Sequence, residues 1–329
     1  MEREGLTVVI PVLNAGRDLP ACLASLRAQR LPPGRDVEVL VLDGGSTDST
    51  RQIAEQFGAT VLCNPAILAE AGVERGLRKA SHRLRLVLAA DNQLPHPNWI
   101  TGLLGVFEAT GARCVFTHVE PRPDRSAISR YWSLAQTDPF SRFVYGSASD
   151  PRRFGSIYRS VVVAKNYTVY DLTRRRPLLA LAQGTAVDGN VPRSRRSAVL
   201  DDILPIWDMI DAGDCLAYYK TGGVVHDTVG SFHEFVEKYR RRATSAADPQ
   251  GFGFASRWSR LSAAEQIRAL CWPLYVLTVV GPVGEALRGW RRDGDRAWLW
   301  HPVVSVTLVA LAIRSLVSMA YRQLVRRIL

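Results

Sequence analysis

Three short stretches of this sequence end in side chains able to hold a polar ligand. Residues 8–14 (VVIPVLN) carry an apolar run through Pro11 to the amide of Asn14. Residues 41–50 (VLDGGSTDST) end another run on the carboxylate of Asp43, ahead of Gly44, Gly45 and Ser46. Residues 87–99 (VLAADNQLPHPNW) end a third on Asp91 and Asn92, before a proline-rich turn. A carboxylate at such a place accepts N–H bonds or ligates a hard cation. The paired glycines allow a backbone to approach a bound group closely, and Thr47 and Asp48 are suited to cap the helix that follows.

The elements that must position these groups are legible as alternating patterns. Residues 6–11 and 37–43 are short, β-branched and almost wholly apolar, and 59–63, 84–90 and 113–117 are weaker versions. Between them Leu19, Cys22, Leu23 and Leu26, then Ile53, Ala54 and Phe57, then Val73, Leu77 and Ala80 recur at helical spacing. Strands buried on both faces and alternating with helices predict an α/β fold with a mostly parallel sheet. Ligands of such sheets sit beyond the carboxyl ends of the strands. Asn14, Asp43 and Asp91 each fall just past a strand end.

The order and spacing of the three stretches resemble the family 2 glycosyltransferases, whose fold is the nucleotide-diphospho-sugar-binding GT-A type. The resemblance is tight over residues 6–120 and looser to about 245. It implies an inverting sugar transfer from a nucleotide-sugar donor, with Pro11, Asn14, Asp43, Gly45 and Ser46 around the nucleotide. It also implies Mg2+ or Mn2+ beside the diphosphate, with Asp91 as a ligand, because that leaving group concentrates negative charge. The sequence departs from the family pattern at Ala89, where a first aspartate is usual, at Ala15, and at Val73-Glu74 in place of an Arg-Asn pair. It matches the subgroup with Asp-Asn followed by Leu-Pro and Trp, here Asp91, Asn92, Leu94, Pro95 and Trp99.

In the second half the same resemblance assigns an acceptor loop to Gln183-Gly184 and an acidic pair to LDDILPIWDMIDAG at 200–213. Asp202 is then the catalytic base, with Asp201 its acceptor-side neighbour or a plain helix N-cap; adjacent carboxylates raise one another's pKa, which suits a base. His226 in VVHDT joins the metal or diphosphate shell. The segment FHEFVEKYRRR at 232–242 is an amphipathic helix, and Arg240 and Arg241 at its end face an anionic acceptor or a lipid surface.

Charge and composition narrow the partners. Residues 1–120 hold 12 Lys and Arg against 13 Asp and Glu, whereas 121–329 hold 30 against 18, so the net charge of +11 lies in the second half. That half suits phosphate-bearing substrates or anionic lipid, and the Arg clusters at 174–176 and 193–196 are loop charges or phosphate contacts. Nucleic-acid binding is not expected: the first 120 residues are not basic, and no zinc-finger spacing or RNA-binding aromatic signature occurs. No G-x-G-x-x-G follows a strand, which excludes a dinucleotide oxidoreductase. The runner-up readings are a nucleotidyltransferase on a related fold and an inactive nucleotide-sugar-binding family member. The five scattered cysteines suggest neither disulfides nor zinc, so a reduced cytosolic setting fits, and the charged N-terminus predicts no signal peptide.

Residues 269–284 and 297–313 are uncharged runs of 16 and 17 residues, and five of the eight tryptophans cluster around them. Both are short of the roughly 20 residues of a full span. Tryptophans at their edges and arginines on every flank predict membrane-associated C-terminal helices that re-enter the cytoplasmic leaflet rather than cross it. Three regions follow: a nucleotide-sugar-binding half at 1–120, an acceptor-side half with the base at 121–256, and membrane-associated helices at 257–329. The acceptor expected of such a chain is a lipid-linked or membrane-bound glycan, met at the cytoplasmic side of the cell membrane.

Overall fold

The computed structural model describes residues 5–189, 201–226, 229–246 and 257–328. Its strands are β1 (Gly5–Val12), β2 (Asp36–Asp43), β3 (Thr60–Cys63), β4 (Leu84–Leu88), β5 (Asn92–Gln93), β6 (Cys114–Phe116) and β7 (Val119–Glu120), followed by β8 (Arg159–Val163), β9 (Tyr167–Asp171), β10 (Gln183–Asp188), β11 (Leu216–Tyr219) and β12 (Val224–His226). The helices begin with α1 (Leu19–Arg27), α2 (Thr50–Gln56), α3 (Ala69–Lys79), α4 (Trp99–Thr110), α5 (Ala127–Ala135) and α6 (Pro139–Tyr145). They continue with α7 (Leu204–Asp211), α8 (Phe232–Ala246), α9 (Ala263–Leu277), α10 (Val280–Asp293) and α11 (Trp300–Ile328). The chain divides into two compact units, residues 1–120 with 147–226, and residues 121–146 with 227–329. The stretch 121–256 therefore contributes to both.

All the described strands lie in the first unit. A nine-stranded sheet has the order β3-β2-β1-β4-β10-β6-β11-β9-β8, and a small sheet the order β5-β12-β7. The five strands expected before residue 120 are present as β1, β2, β3, β4 and β6. β1 is apolar almost throughout because every residue of it is buried, as a strand covered on both faces requires. The sheet as a whole is mixed. Parallel pairing joins β1 to β2 and β4, β2 to β3, and β6 to β11. β10 instead enters antiparallel between β4 and β6, and β8-β9-β11 also pair antiparallel.

The predicted apolar face of α1 is the buried one, formed by Leu19, Cys22, Leu23 and Leu26. Each leucine fully withdrawn from water contributes about 1.5–3 kcal/mol. Trp99 opens α4, is wholly buried, and donates its indole N–H to the Gly222 carbonyl at 2.9 Å. Its ring meets Tyr219 edge-on at 5.7 Å. The Leu94–Trp99 turn is thereby fixed to the segment that leads into β12.

The second unit is helical. Ser126 and Asp138 cap α5 and α6 by accepting the N–H groups of Ser129 and Ser141, and Pro139 occupies the first turn of α6. Tyr131, Trp132, Phe235 and Trp298 form one core. Trp132 stacks on Tyr239 and Phe232 on Trp300, so the aromatic side of α8 is used in packing. Arg142 is buried, pairs with Glu285 at 2.8 Å and lies over the Trp298 ring. The first apolar run is two helices, with Val279 in the left-handed region (φ 58°) between α9 and α10 and their axes bent by 93°. Pro273 sits inside α9, so the break falls after it rather than at it. The second run begins in a 3-10 turn at Arg296–Leu299 and continues into α11, and the stretch Arg296–Ser315 (mean hydropathy 1.4) is long and apolar enough to cross a bilayer by length and composition.

Candidate functional site

Strand order reverses between β1 and β4: the chain winds from β1 outward to β2 and β3, then returns to β4 on the other side. Such a switch point leaves a crevice beyond the strand ends. Val12 is in register with Asp43, and Val9 with Val87, so the residues after β1, β2 and β4 emerge on one edge. Pro11 and Asn14 come from the first of these ends, Asp43, Gly45 and Ser46 from the second, and Asp91 from the third.

Local chemistry locks the first two ends together. Asn14 takes a left-handed conformation (φ 50°), which its short amide tolerates better than most side chains. Its backbone N–H donates to Ser46 Oγ at 2.9 Å, and its side-chain oxygen accepts the Thr47 N–H at 2.8 Å. Asp43 is buried. One of its oxygens accepts the Ser46 N–H at 2.9 Å and the other meets Arg51 Nε at 3.0 Å. A carboxylate so engaged keeps lone pairs to spare. Asp48 accepts the Gly16 and Thr50 N–H groups at 2.9 and 3.0 Å. The Thr50 hydroxyl is the main cause holding Asp48 below the usual carboxylate range.

Asp91 stands in a tight turn after β4. The turn closes through the Asn92 N–H to the Ala89 carbonyl at 3.0 Å and the Ala89 N–H to Asn92 Oδ1 at 2.8 Å. Asn92 is wholly buried, and its Nδ2 has no hydrogen-bond partner among the described residues. The small sheet then pairs Asn92 with His226 across β5 and β12. This places His226 Nε2 at 3.2 Å from Asp91 Oδ1, with the side chains 17% and 16% exposed. Cys22 lies beneath the same turn, its thiol directed at the Ala89 carbonyl. Burial, with the Asp91 charge adding to it, pushes that thiol up to about 12.

A carboxylate oxygen and an imidazole nitrogen at one edge suit a divalent cation that takes its remaining ligands from a diphosphate and water. Among the described residues no group of three or more His, Cys, Asp or Glu could hold a metal ion by itself.

The residues expected on the acceptor side in the first unit come from the start of β10 and the approach to α7. Gln183 opens β10 opposite Leu88, the last residue of β4. Gly184 has φ 74°, and a Cβ there would lie 2.6 Å from Val224 Cγ1, so only glycine lets β12 close on β10. The Asp202 carbonyl accepts the Leu181 N–H at 3.0 Å, which sets the start of α7 beside the start of β10. Asp201 accepts the N–H groups of Ile203 and Leu204 at 2.7 and 3.0 Å and so closes the turn ahead of α7, whose N-cap is Ile203. Arg240 lies on α8 in the second unit and pairs with Glu237 at 2.8 Å. The Arg241 side chain and the 193–196 cluster lie outside the described residues. In the 174–176 cluster, Arg176 pairs with Asp211 at 3.0 Å.

Sequence inspection gave no site role to three groups near this edge. Arg51 reaches Asp43 from the first turn of α2, and Cys22 lies beneath the Asp91 turn. Glu120 sits opposite Val225 in the small sheet, where a hydrogen bond from His118 is the main cause lowering its pKa. No motif marks any of them. The regular apolar spacing of α1 accounts for Cys22 as a core residue only.

Relatives with known names agree on the class. Glycosyltransferase AglE of Haloferax volcanii is 33% identical over 122 residues, which are 35% of this chain and 39% of the relative. A PGL/p-HBAD biosynthesis glycosyltransferase of Mycobacterium bovis is 45% identical over 51 residues, or 16% of this chain and 19% of the relative. The matches thus span well under half the length of each relative. Glucosyl-3-phosphoglycerate synthase from Mycobacterium tuberculosis, solved with Mn2+, uridine diphosphate and glucosyl-3-phosphoglycerate, aligns with 18% identity over 76% of this chain and 82% of its own, at a TM-score of 0.47. Residues 7–163 match the family model of Glycosyl transferase family 2, and the chain carries a domain of that family.

Proposed function

We propose that this chain is an inverting glycosyltransferase that moves a sugar from a UDP- or GDP-sugar to a lipid-linked or membrane-bound glycan at the cytoplasmic face of a membrane. The observation that carries the proposal is the meeting of Asp91 and His226 at the switch-point edge of a family 2 domain. The paired loops of β1 and β2 hold the nucleoside, with Gly45 leaving space for close approach and Asn14, Asp43 and Ser46 supplying polar groups. Asp91 and His226 would hold Mg2+ or Mn2+, which when bound would neutralise the charge of the diphosphate leaving group.

Asp202 removes the proton from the acceptor hydroxyl. The freed oxygen forms its bond to the anomeric carbon from the face opposite the nucleoside diphosphate, whose bond to that carbon breaks as the electron pair leaves with it. Configuration inverts in the one step, and positioning of the two substrates supplies much of the rate. Asp201, which closes the turn ahead of α7, keeps Asp202 in place. The acceptor class rests on the +12 balance of residues 121–329 (30 basic against 18 acidic) and on the apolar stretch Arg296–Ser315.

A panel of UDP- and GDP-sugars tests the reading through release of the nucleoside diphosphate with and without Mn2+. One donor is expected to be turned over in a metal-dependent way, and Asp91→Ala and His226→Ala each to lose that dependence. Turnover that EDTA leaves untouched refutes the assignment of Asp91 and His226.

A further inference from the structure

The bend between α9 and α10 carries the four most exposed large apolar side chains among the described residues of the second unit. Leu270, Leu274 and Leu277 on α9 and Val280 on α10 are 70%, 66%, 71% and 78% exposed. Val279 and Val283 extend the patch across the break. Contiguous apolar exposure of this kind marks an interaction surface. Trp272 and Val276, on the other side of α9, pack against Phe140, Phe143 and Val309, so the exposed residues form a separate face.

Length and charge identify what covers it. No charged residue falls between Arg268 and Glu285. Glu285 turns inward to Arg142 at 2.8 Å, so on the outer face the next charge is the well-exposed Arg288. From Arg268 to Leu277 the arm spans about 14 Å, and from Val280 to Arg288 about 12 Å, at roughly 1.5 Å per residue. With the axes bent by 93°, the tip stands about 9 Å beyond the line joining the two charged ends. A bilayer hydrocarbon core is about 30 Å thick, and interfacial elements enter it by about 5–10 Å. The tip is thus too shallow to cross and the right depth for one leaflet. Arg288 and Arg291, both exposed on α10, follow at its rim, where anionic headgroups would lie.

We propose that the α9–α10 bend is a re-entrant wedge that seats Leu274, Leu277, Val279, Val280 and Val283 in a single leaflet containing anionic lipid. This deepens, and rests on, the membrane assignment made above. The wedge sets an insertion depth independently of α11, whose apolar stretch is a separate element.

The full chain with Cys63, Cys215 and Cys271 changed to serine and Leu277→Cys labelled with an environment-sensitive fluorophore provides the test. The probe is a vesicle of phosphatidylcholine with a minority of phosphatidylglycerol, carrying a nitroxide at a shallow or a deep acyl carbon. Emission is expected to shift to the blue on vesicle addition and to be quenched more by the shallow nitroxide. Val280→Asp, an exposed change with no effect on folding by circular dichroism, is expected to weaken vesicle binding about tenfold or more. A chain that floats with vesicles while the label stays in water overturns the wedge and leaves the membrane assignment standing. A chain that does not float at all overturns both. Stronger quenching by the deep nitroxide shows a crossing, and a blue shift without vesicles in a sedimenting dimer shows that a second copy covers the face; each overturns the wedge.

Discussion

Gly184→Ala perturbs the candidate site without touching any group placed in its chemistry, and its cost can be worked from geometry. The native φ of 74° places an L-residue in the left-handed region, at about 1–2 kcal/mol. The new Cβ would lie 2.6 Å from Val224 Cγ1 and 3.2 Å from Thr117 Cγ2. Val224 is wholly buried and begins the strand that ends at His226, so relief by side-chain rotation is limited. Overpacking of this kind costs about 1–3 kcal/mol, for a total of about 2–5 kcal/mol. Urea unfolding of Gly184→Ala, Val224→Ala and the double variant separates the two parts. The double variant should recover the clash, a coupling of about 1–3 kcal/mol, while the backbone strain remains. In the native state of the single variant, displacement of β12 should also weaken Mn2+-dependent donor binding. Stability within about 0.5 kcal/mol of the parent, or a coupling near zero, would refute the claim that Gly184 exists to let β12 close on β10.

Asp202→Asn is expected to lower transfer by about 10²–10⁴ while donor affinity by calorimetry stays near that of the parent; an equal fall in donor affinity would make Asp202 a donor-binding or structural residue. Native protein at neutral pH should show rapid thiol titration of the exposed Cys63, Cys215 and Cys271 only. Cys22 and Cys114, buried and with their thiols pushed well up, should react on unfolding, and early modification of Cys22 would contradict the packing beneath the Asp91 turn.

The parts of the fold that were legible share one property: their signal is local. β1 and β2 are written as continuous apolar runs because both their faces are covered, and the Leu19–Leu26 spacing gave the buried side of α1. The three strand-end features were visible for the same reason, since each is a contiguous string. The Asp91–His226 contact joins positions 135 apart through β5, two residues long, and β12, three residues long. Strands that short carry no periodicity to read. The antiparallel entry of β10 was equally invisible, because QGTAVD has the composition of any buried strand and direction leaves no mark on it. In the tail, composition exposed the apolar run but not its break. Val279 is β-branched and an unfavourable occupant of a left-handed position, so nothing in its type marks the turn.

The insertion of β10 also orders events during synthesis. When the ribosome has released only the first 120 residues, the edge of β4 that β10 will cover is bare, and β6 has neither of its partners, since its pairings among the described residues are with β10 and β11. Residue 188 follows residue 88 by 100 positions, which at about 5–20 residues per second takes roughly 5–20 s. For that interval the nascent chain holds an open sheet edge of the kind that templates aggregation, and residues 1–120 cannot finish folding alone. A chaperone that shields sheet edges for some seconds should therefore raise the yield of this chain more than one that acts after release.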